Sequence, residues 1–326
     1  MTNNINEKVT VFFASDDRYY PYLAVALKSL SDHASDEYTY DVKILSSEFS
    51  EDNVKALRKM VKPNIEVEFC CVEKLIAPLR HALKVRLRDY YSESIYYRIF
   101  IPQLFPDLKR AVYLDSDIVV CDDVAKLYFE DLGEDILGVI TDESVICVPV
   151  FCDYVKRHIG VKDPAEYFNS GVLVMNLDAF RQAKIRKKFV HLLLKYNFNT
   201  VAPDQDYLNF LCRGRVKYLD RGWNKHAIPG REIPLDQVHI LHFNMFNKPW
   251  HYDNVPYEEE FWRVAKTTPL MDFLLRDKAE YTDEMRKRDM EGGRKLLEAA
   301  EDVFKNGMSI NETVDHEYFL GVPLDA

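Results

Sequence analysis

Short apolar runs and amphipathic stretches alternate along the chain from residue 9 to residue 242. Residues 9–14 are apolar apart from Thr10 and read as a buried strand. Asp16-Asp17 ends that run, and a helix is expected over about 20–34. A second strand is predicted at 40–45. Ser50 is placed to cap the helix that follows, with Asn53 in its first turn. Residues 65–71 read as a third strand. This alternation predicts an α/β fold with a mainly parallel sheet.

The pattern continues. Residues 92–104 read as a helix ending near Pro102 or Pro106. Residues 110–114 form a strand running straight into Asp115-Ser116-Asp117, and 136–141 a strand ending at Asp142. A strand over 171–177 is entered through Phe168-Asn169-Ser170, where Asn and Gly suggest a turn. A basic amphipathic helix is expected over 181–196, a short helix over 204–211 and a late strand over 238–241, ending at His242. Asp16, Asp115, Asp117, Asp142 and His242 thus all follow strands. Ligands of open α/β sheets bind outside the carboxyl ends of strands, which makes these residues candidates for one crevice. From 257 onward helical stretches dominate, and acidic residues outnumber basic ones after 281. The expected division is an α/β domain over 1–256 and a helical C-terminal appendage over 257–326.

Composition narrows the function classes. The chain has 326 residues, 47% of them hydrophobic, enough for a sizeable core, and carries a net charge of -10. Such a chain is not a natural polyanion binder, so nucleic acid is not an expected partner, although a few local cations suffice for a phosphate. No apolar stretch of about 18 residues is present, so no bilayer span is expected. The N-terminus lacks a basic start and a long apolar run, which argues against a secretory signal and for a cytoplasmic location. The six cysteines contain no CxxC pair and are expected as free thiols in a reducing compartment. Asn311-Glu312-Thr313 is read as a chance match to a glycosylation acceptor.

Four clusters carry candidate chemistry. Asp115 and Asp117 straddle Ser116 at a strand end, where both carboxylates can reach one divalent ion whose remaining ligands a diphosphate supplies. A turn with solvated acids is the bland reading. His242 brings an imidazole, which beside carboxylates suits manganese better than calcium. Lys248, held before Pro249-Trp250, is placed to neutralise a phosphate as a point charge. Asp204 and Gln205 open a helix; they either cap it or hydrogen-bond sugar hydroxyls. Asn169 either forms a turn or presents an amide to a sugar, and Arg98 either meets a phosphate or carboxylate or is solvated.

Together these clusters resemble the retaining glycosyltransferases of family 8, the group that contains bacterial lipopolysaccharide galactosyl- and glucosyltransferases and glycogenin. The matching segments run in family order: Phe13-Ala14-Ser15-Asp16-Asp17, Tyr97-Arg98, Tyr113-Leu114-Asp115-Ser116-Asp117, Phe168-Asn169-Ser170-Gly171-Val172, Asp204-Gln205-Asp206, and His242 with Lys248-Pro249-Trp250. The resemblance implies a GT-A, Rossmann-like fold with a mostly parallel sheet flanked by helices, and a UDP-hexose donor. It implies that Asp115, Asp117 and His242 hold Mn2+ (or Mg2+) against the diphosphate and that Lys248 contacts phosphate. Ala14 and Asp16 would meet the uridine. Arg98, Asp115, Asn169, Asp204 and Gln205 would surround the donor hexose and Ser116 would touch the nucleotide sugar, with Gln205, Asp204, Asn169 and Asp142, near the reacting groups, as the candidate catalytic residues. Two features depart from the family pattern. Arg18 stands where relatives often carry Asn, and the C-terminal part is acidic where some membrane-associated relatives have basic, aromatic tails.

The implied reaction moves a hexose, glucose or galactose, to an acceptor hydroxyl on a glycan, a lipid-linked sugar or a protein, as in cell-surface glycan or lipopolysaccharide synthesis. Membrane contact is expected to be at most peripheral, at the inner face. An amide is a weak nucleophile, so Gln205 favours same-face attack; Asp142 and Asp206 are the carboxylates open to a covalent route. A sugar-nucleotide nucleotidyltransferase is the main alternative, but the first strand leads into Ala14-Ser15-Asp16-Asp17, with no glycine-rich loop. A non-catalytic nucleotide-sugar binding module is the other, and it has no need of the full Asp115, Asp117, His242 and Lys248 set.

Overall fold

A computed structural model describes residues 8–84, 92–306 and 308–314. Its strands are β1 Lys8–Ala14, β2 Thr39–Ser46, β3 Ile65–Cys71, β4 Arg110–Leu114, β5 Ile118–Val120, β6 Leu137–Thr141, β7 Phe168–Asn176, β8 Val216–Tyr218, β9 Lys225–His226 and β10 Ile240–His242. The chain falls into two compact units. The first comprises residues 8–73, 111–131 and 220–289; the second comprises 74–84, 92–110, 132–219, 290–306 and 308–314.

In the first unit β1 lies between β2 and β4, parallel to both, with Val11 opposite Val42 on one side and Val112 on the other. Val9, Val11, Phe12 and Phe13 of β1 are fully buried, as a strand covered on both faces requires. β3 pairs parallel to β2 and alternates buried with exposed positions along its first four residues. The helix Tyr20–His33 begins with Pro21 in its first turn, where the missing N–H costs nothing. Ser29 on that helix takes the Val120 N–H of β5 at 2.9 Å. β10 runs antiparallel to β5 and parallel to β9.

The late helices of this unit complete its core. Trp250, 1% exposed, stacks on Tyr22 with ring centroids 4.2 Å apart, and Phe261 packs 4.9 Å from it. Val264, Ala265 and Leu274, from the helices Glu258–Ala265 and Met271–Glu280, join the same cluster. His251 stacks on Tyr281 at 3.7 Å, and the Tyr252 and Tyr281 hydroxyls both donate to Asp289 Oδ2 at 2.7 Å. Arg286 donates to the His251 carbonyl at 2.8 Å. The segment after Lys248 is therefore clamped by residues up to 37 positions later.

In the second unit β6 is antiparallel to β7 and parallel to β8. β7 begins at Phe168, so Asn169 and Ser170, expected in a turn, lie inside the strand. The β6–β7 register shifts between Gly138 and Ile140, and such irregularities re-aim side chains next to functional sites. Two expected helices also differ. The 92–104 stretch is a tight 3-10 helix, Glu93–Phe100, followed by Ile101–Leu104, and the Ile95 carbonyl accepts from Arg98 Nε at 2.9 Å. The 181–196 stretch divides into Leu177–Gln182 and Ile185–Lys195, because Lys184 takes φ 55° and turns the chain left-handed. Periodicity carries no sign of that break. Among the described residues, no helix is long and apolar enough to cross a membrane.

Truncating Trp250 removes both its transfer free energy and the packing of its neighbours. Trp250→Ala should cost about 3–5 kcal/mol, measured as a lower urea midpoint with an unchanged slope. A loss under about 1 kcal/mol would show that the cluster does not depend on this ring.

Candidate active site

Each unit presents one cluster. In the first, β4 ends at Leu114 and delivers Asp115 and Asp117, while His242 closes β10. The β10–β5 register sets His242 opposite Ile118, beside the two aspartates. One ligand atom from each of Asp115, Asp117 and His242 lies within 4.8 Å of the others. His242 Nε2 stands 3.3 Å from Asp117 Oδ1 and 3.9 Å from Asp115 Oδ2. Its Nδ1 faces Asn224 Oδ1 at 2.8 Å. With Nδ1–H donating to Asn224, Nε2 turns its lone pair toward the carboxylates. Two carboxylates and an oriented imidazole converging on one point suit a divalent cation, and the Asn224 contact is the outer hydrogen bond such a ligand uses.

Lys248 Nζ donates to Asp117 Oδ2 and to the Phe243 carbonyl. Burial opposes ionisation of Asp117, but the Lys248 ammonium and the His242 ring beside it hold its carboxyl well below the usual range. Tyr113 donates to Asp115 Oδ1 at 3.0 Å. Ser116 is buried and gives its hydroxyl to the Ala14 carbonyl at 3.1 Å, tying the ends of β4 and β1 together. Asp16 caps the turn that follows β1, accepting from the Arg18 and Tyr19 amides at 3.1 Å. Arg18 points to solvent and pairs with Asp16 at 3.2 Å. Two residues here escaped the sequence reading. Asn224 sits in a Gly-Trp-Asn turn with no pattern to mark it. Tyr19 packs against Tyr22 at 4.8 Å, and burial, with Asp117, Asp115 and Asp16 nearby, pushes its hydroxyl well above the ordinary value.

The second unit gathers Arg98, Asp142, Asn169, Asp204 and Gln205, all buried, around Ser170. Ser170 was legible only as part of a motif. Its N–H donates to Gln205 Oε1 at 2.9 Å, and its hydroxyl to Asp204 Oδ2 at 2.9 Å. Arg98 donates to the Ser170 carbonyl and lies 3.2 Å from Asp204 Oδ2. Asp142 Oδ2 accepts from Gln205 Nε2 at 2.9 Å and from Asn169 Nδ2 at 3.1 Å. Its Oδ1 accepts the Ser144 and Val145 amides at 2.8 and 3.3 Å. Asn209 pairs with both the N–H and the carbonyl of Phe168 at 2.9 Å, standing in for a neighbouring strand. Asp204 and Gln205 are thus more than helix-capping residues: their side chains are bound to β7.

Asp206 completes this region. It is fully buried, and its carboxylate accepts from Tyr154 and Tyr167 hydroxyls at 2.7 and 2.6 Å and from the Val201 and Ala202 amides at 3.0 and 3.1 Å. Burial lifts its acid to about 6, against the pull of those donors. The folded value lies above the unfolded one, so the native state holds more protons between the two. This group's contribution to stability is greatest at low pH and declines as pH rises from about 4 to about 6. The stability difference between wild type and Asp206→Asn should therefore shrink, by about 2–3 kcal/mol, on going from about pH 4 to about pH 7. Urea unfolding at a series of pH values checks this, and a difference independent of pH would contradict it.

The glycosyl transferase family 8 model matches residues 10–254. The chain is 28% identical over 215 residues to a lipopolysaccharide 1,2-glucosyltransferase of Escherichia coli K12, covering 61% of each. Among solved structures it is similar to the galactosyltransferase LgtC in complex with donor and acceptor sugar analogs, with a TM-score of 0.67, 26% identity and coverage of 80% of this chain and 96% of that one. The WbbM bifunctional glycosyltransferase shares the fold at a TM-score of 0.71 and 23% identity, over 84% of this chain and 52% of its own. A match over three quarters of the sequence places the chain in glycosyltransferase family 8.

Proposed function

We propose that the protein transfers a hexose, glucose or galactose, from a UDP-sugar to an acceptor hydroxyl with retention of anomeric configuration. The observation that carries this reading is the convergence of Asp115, Asp117 and His242 beside Lys248. Asp115, Asp117 and His242 would hold Mn2+ or Mg2+. A bound ion of this kind supplies positive charge to the leaving diphosphate. Lys248 adds a second cation; exchanging Asp117 for a phosphate oxygen keeps its ammonium paired. Asp16 and the β1 end at Ala14 are the candidates for the uridine.

The second cluster takes the hexose in this reading. Arg98, Asp204, Asn169 and Gln205 are polar groups in fixed orientation, the requirement for discriminating hydroxyl positions. Same-face attack is favoured over a glycosyl-enzyme. Gln205 is an amide, and the Asp142 carboxylate accepts from two side-chain amides and two backbone N–H groups, which withdraws the electron density a nucleophile needs. Holding donor and acceptor together supplies the entropic part of the acceleration. The similarity to a lipopolysaccharide 1,2-glucosyltransferase supports an acceptor in a cell-surface glycan; in this reading membrane contact is at most peripheral, at the inner face.

UDP should raise the melting temperature with Mn2+ present and much less without it, since binding to the native state stabilises it. Asp115→Ala, Asp117→Ala and His242→Ala should each lose that increment and most transfer activity. Equal stabilisation by UDP in chelator would remove the metal from the site. Sugar 1-phosphate and UTP serve as the control for a nucleotidyltransferase, and release of pyrophosphate would favour that reading.

Phosphate binding and sugar orientation should separate by mutation. Lys248→Ala should weaken UDP by about 1.5–3 kcal/mol, the range for a hydrogen bond to a charged group. Gln205→Ala should leave UDP affinity nearly unchanged and lower turnover instead. Calorimetry with UDP and steady-state kinetics test both; the reverse pattern would exchange the two roles.

A further inference from the structure

Asp206 is the buried carboxylate that the roles assigned above leave over. Its two oxygens accept from four donors, two tyrosine hydroxyls and two backbone amides. Oδ2 takes Tyr154 and the Val201 and Ala202 amides, and Oδ1 takes Tyr167, so both oxygens are engaged. No cation pairs with it among the described residues. The groups that face it are Tyr154, Tyr167 and the 201–202 backbone, with His158 stacked behind Tyr154 at 4.9 Å and Asp142 near Tyr167. These donors come from three separate places: the end of the Pro149–Tyr154 helix, the residue before β7, and the loop that leads into the Pro203–Cys212 helix. One side chain therefore fixes the start of that helix to its own lead-in and to the entrance of β7. The two residues immediately before Asp206 are Asp204 and Gln205, whose side chains reach Ser170 and Asp142.

We propose that Asp206 is a positioning residue for the hexose cluster: with Tyr154 and Tyr167 it sets the angle at which Gln205 and Asp204 meet the donor sugar, and it takes no part in bond making. This inference rests on the transferase reading above. A nucleophile must release its lone pairs toward the anomeric carbon, whereas both oxygens of Asp206 are tied to donors within its own unit. Gln205 and Asp204 are bound on the far side to β7. A tilt of the first helical turn would therefore move their amide and carboxylate together, relative to Arg98 and Asn169.

The test compares Asp206→Asn with the double variant Tyr154→Phe/Tyr167→Phe. Both should lower kcat by about ten- to a hundredfold, the scale of an ångström-sized misplacement. Both should leave UDP affinity in Mn2+ unchanged and narrow the ratio of kcat/KM between UDP-glucose and UDP-galactose. Loss of about 10⁴-fold or more in Asp206→Asn, with the tyrosine variant near wild type, would overturn the proposal in favour of a nucleophile. A lower melting temperature with kcat and hexose discrimination unchanged would reduce the network to a structural one and also overturn it. Hydrogen exchange of the ligand-free protein keeps the question apart from the transferase reading. The Ser170 amide, which donates to Gln205, should exchange about tenfold faster in Asp206→Asn. If wild type turns over no UDP-hexose, the transferase reading fails while this measurement still decides whether Asp206 holds Gln205 in place; an unchanged rate denies that it does.

Discussion

A carboxylate removed from water has to be given a cation or a full set of hydrogen-bond donors, or it will not stay ionised. Several described carboxylates near the candidate chemistry are buried or half-buried, and the local architecture follows from how each is satisfied. Asp115 and Asp117 face a lysine and a histidine. Asp204 meets Arg98. Asp142 and Asp206 accept from amides and hydroxyls.

The two solutions suit different tasks. Ammonium and metal cations are non-directional partners, so charge at the β4 end can be shared with an incoming diphosphate. Directional N–H and O–H donors hold a side chain at one angle, which is what distinguishing one hydroxyl configuration from another demands. The inner shells carry this further: Asn224 fixes the His242 ring, and Ser170 links Arg98, Asp204 and Gln205.

Lys248 shows how distant parts of the chain bear on the chemistry. It precedes Trp250, which is locked between Tyr22 and Phe261, and the next two residues are held by Tyr281, Asp289 and Arg286. The helices after 257 therefore contribute to the first unit's core as well as extending the chain. Their acidic surface leaves this aromatic role invisible in the charge pattern.

The sequence by itself determined β1 to β4 and β6, though not β5, the alternation that makes the sheet mainly parallel, and the strand-end position of Asp16, Asp115 and Asp117. Those are local facts: a run of apolar residues forms a strand wherever it is covered, and a polar break ends it. The motif order also made the family legible. Only the tertiary structure decided which residues meet. Lys248 and Asp117 are 131 positions apart, Arg98 and Ser170 72, and Tyr154 and Asp206 52. Nothing periodic marks Asn224, Tyr154 or Tyr167 as partners, because a tyrosine or asparagine that completes a buried carboxylate looks the same in sequence as one that faces water. The left-handed Lys184 and the 3-10 helix at Glu93–Phe100 were hidden for a related reason. Each is a small backbone adjustment whose cost is met by tertiary packing, and local preference alone argues against both.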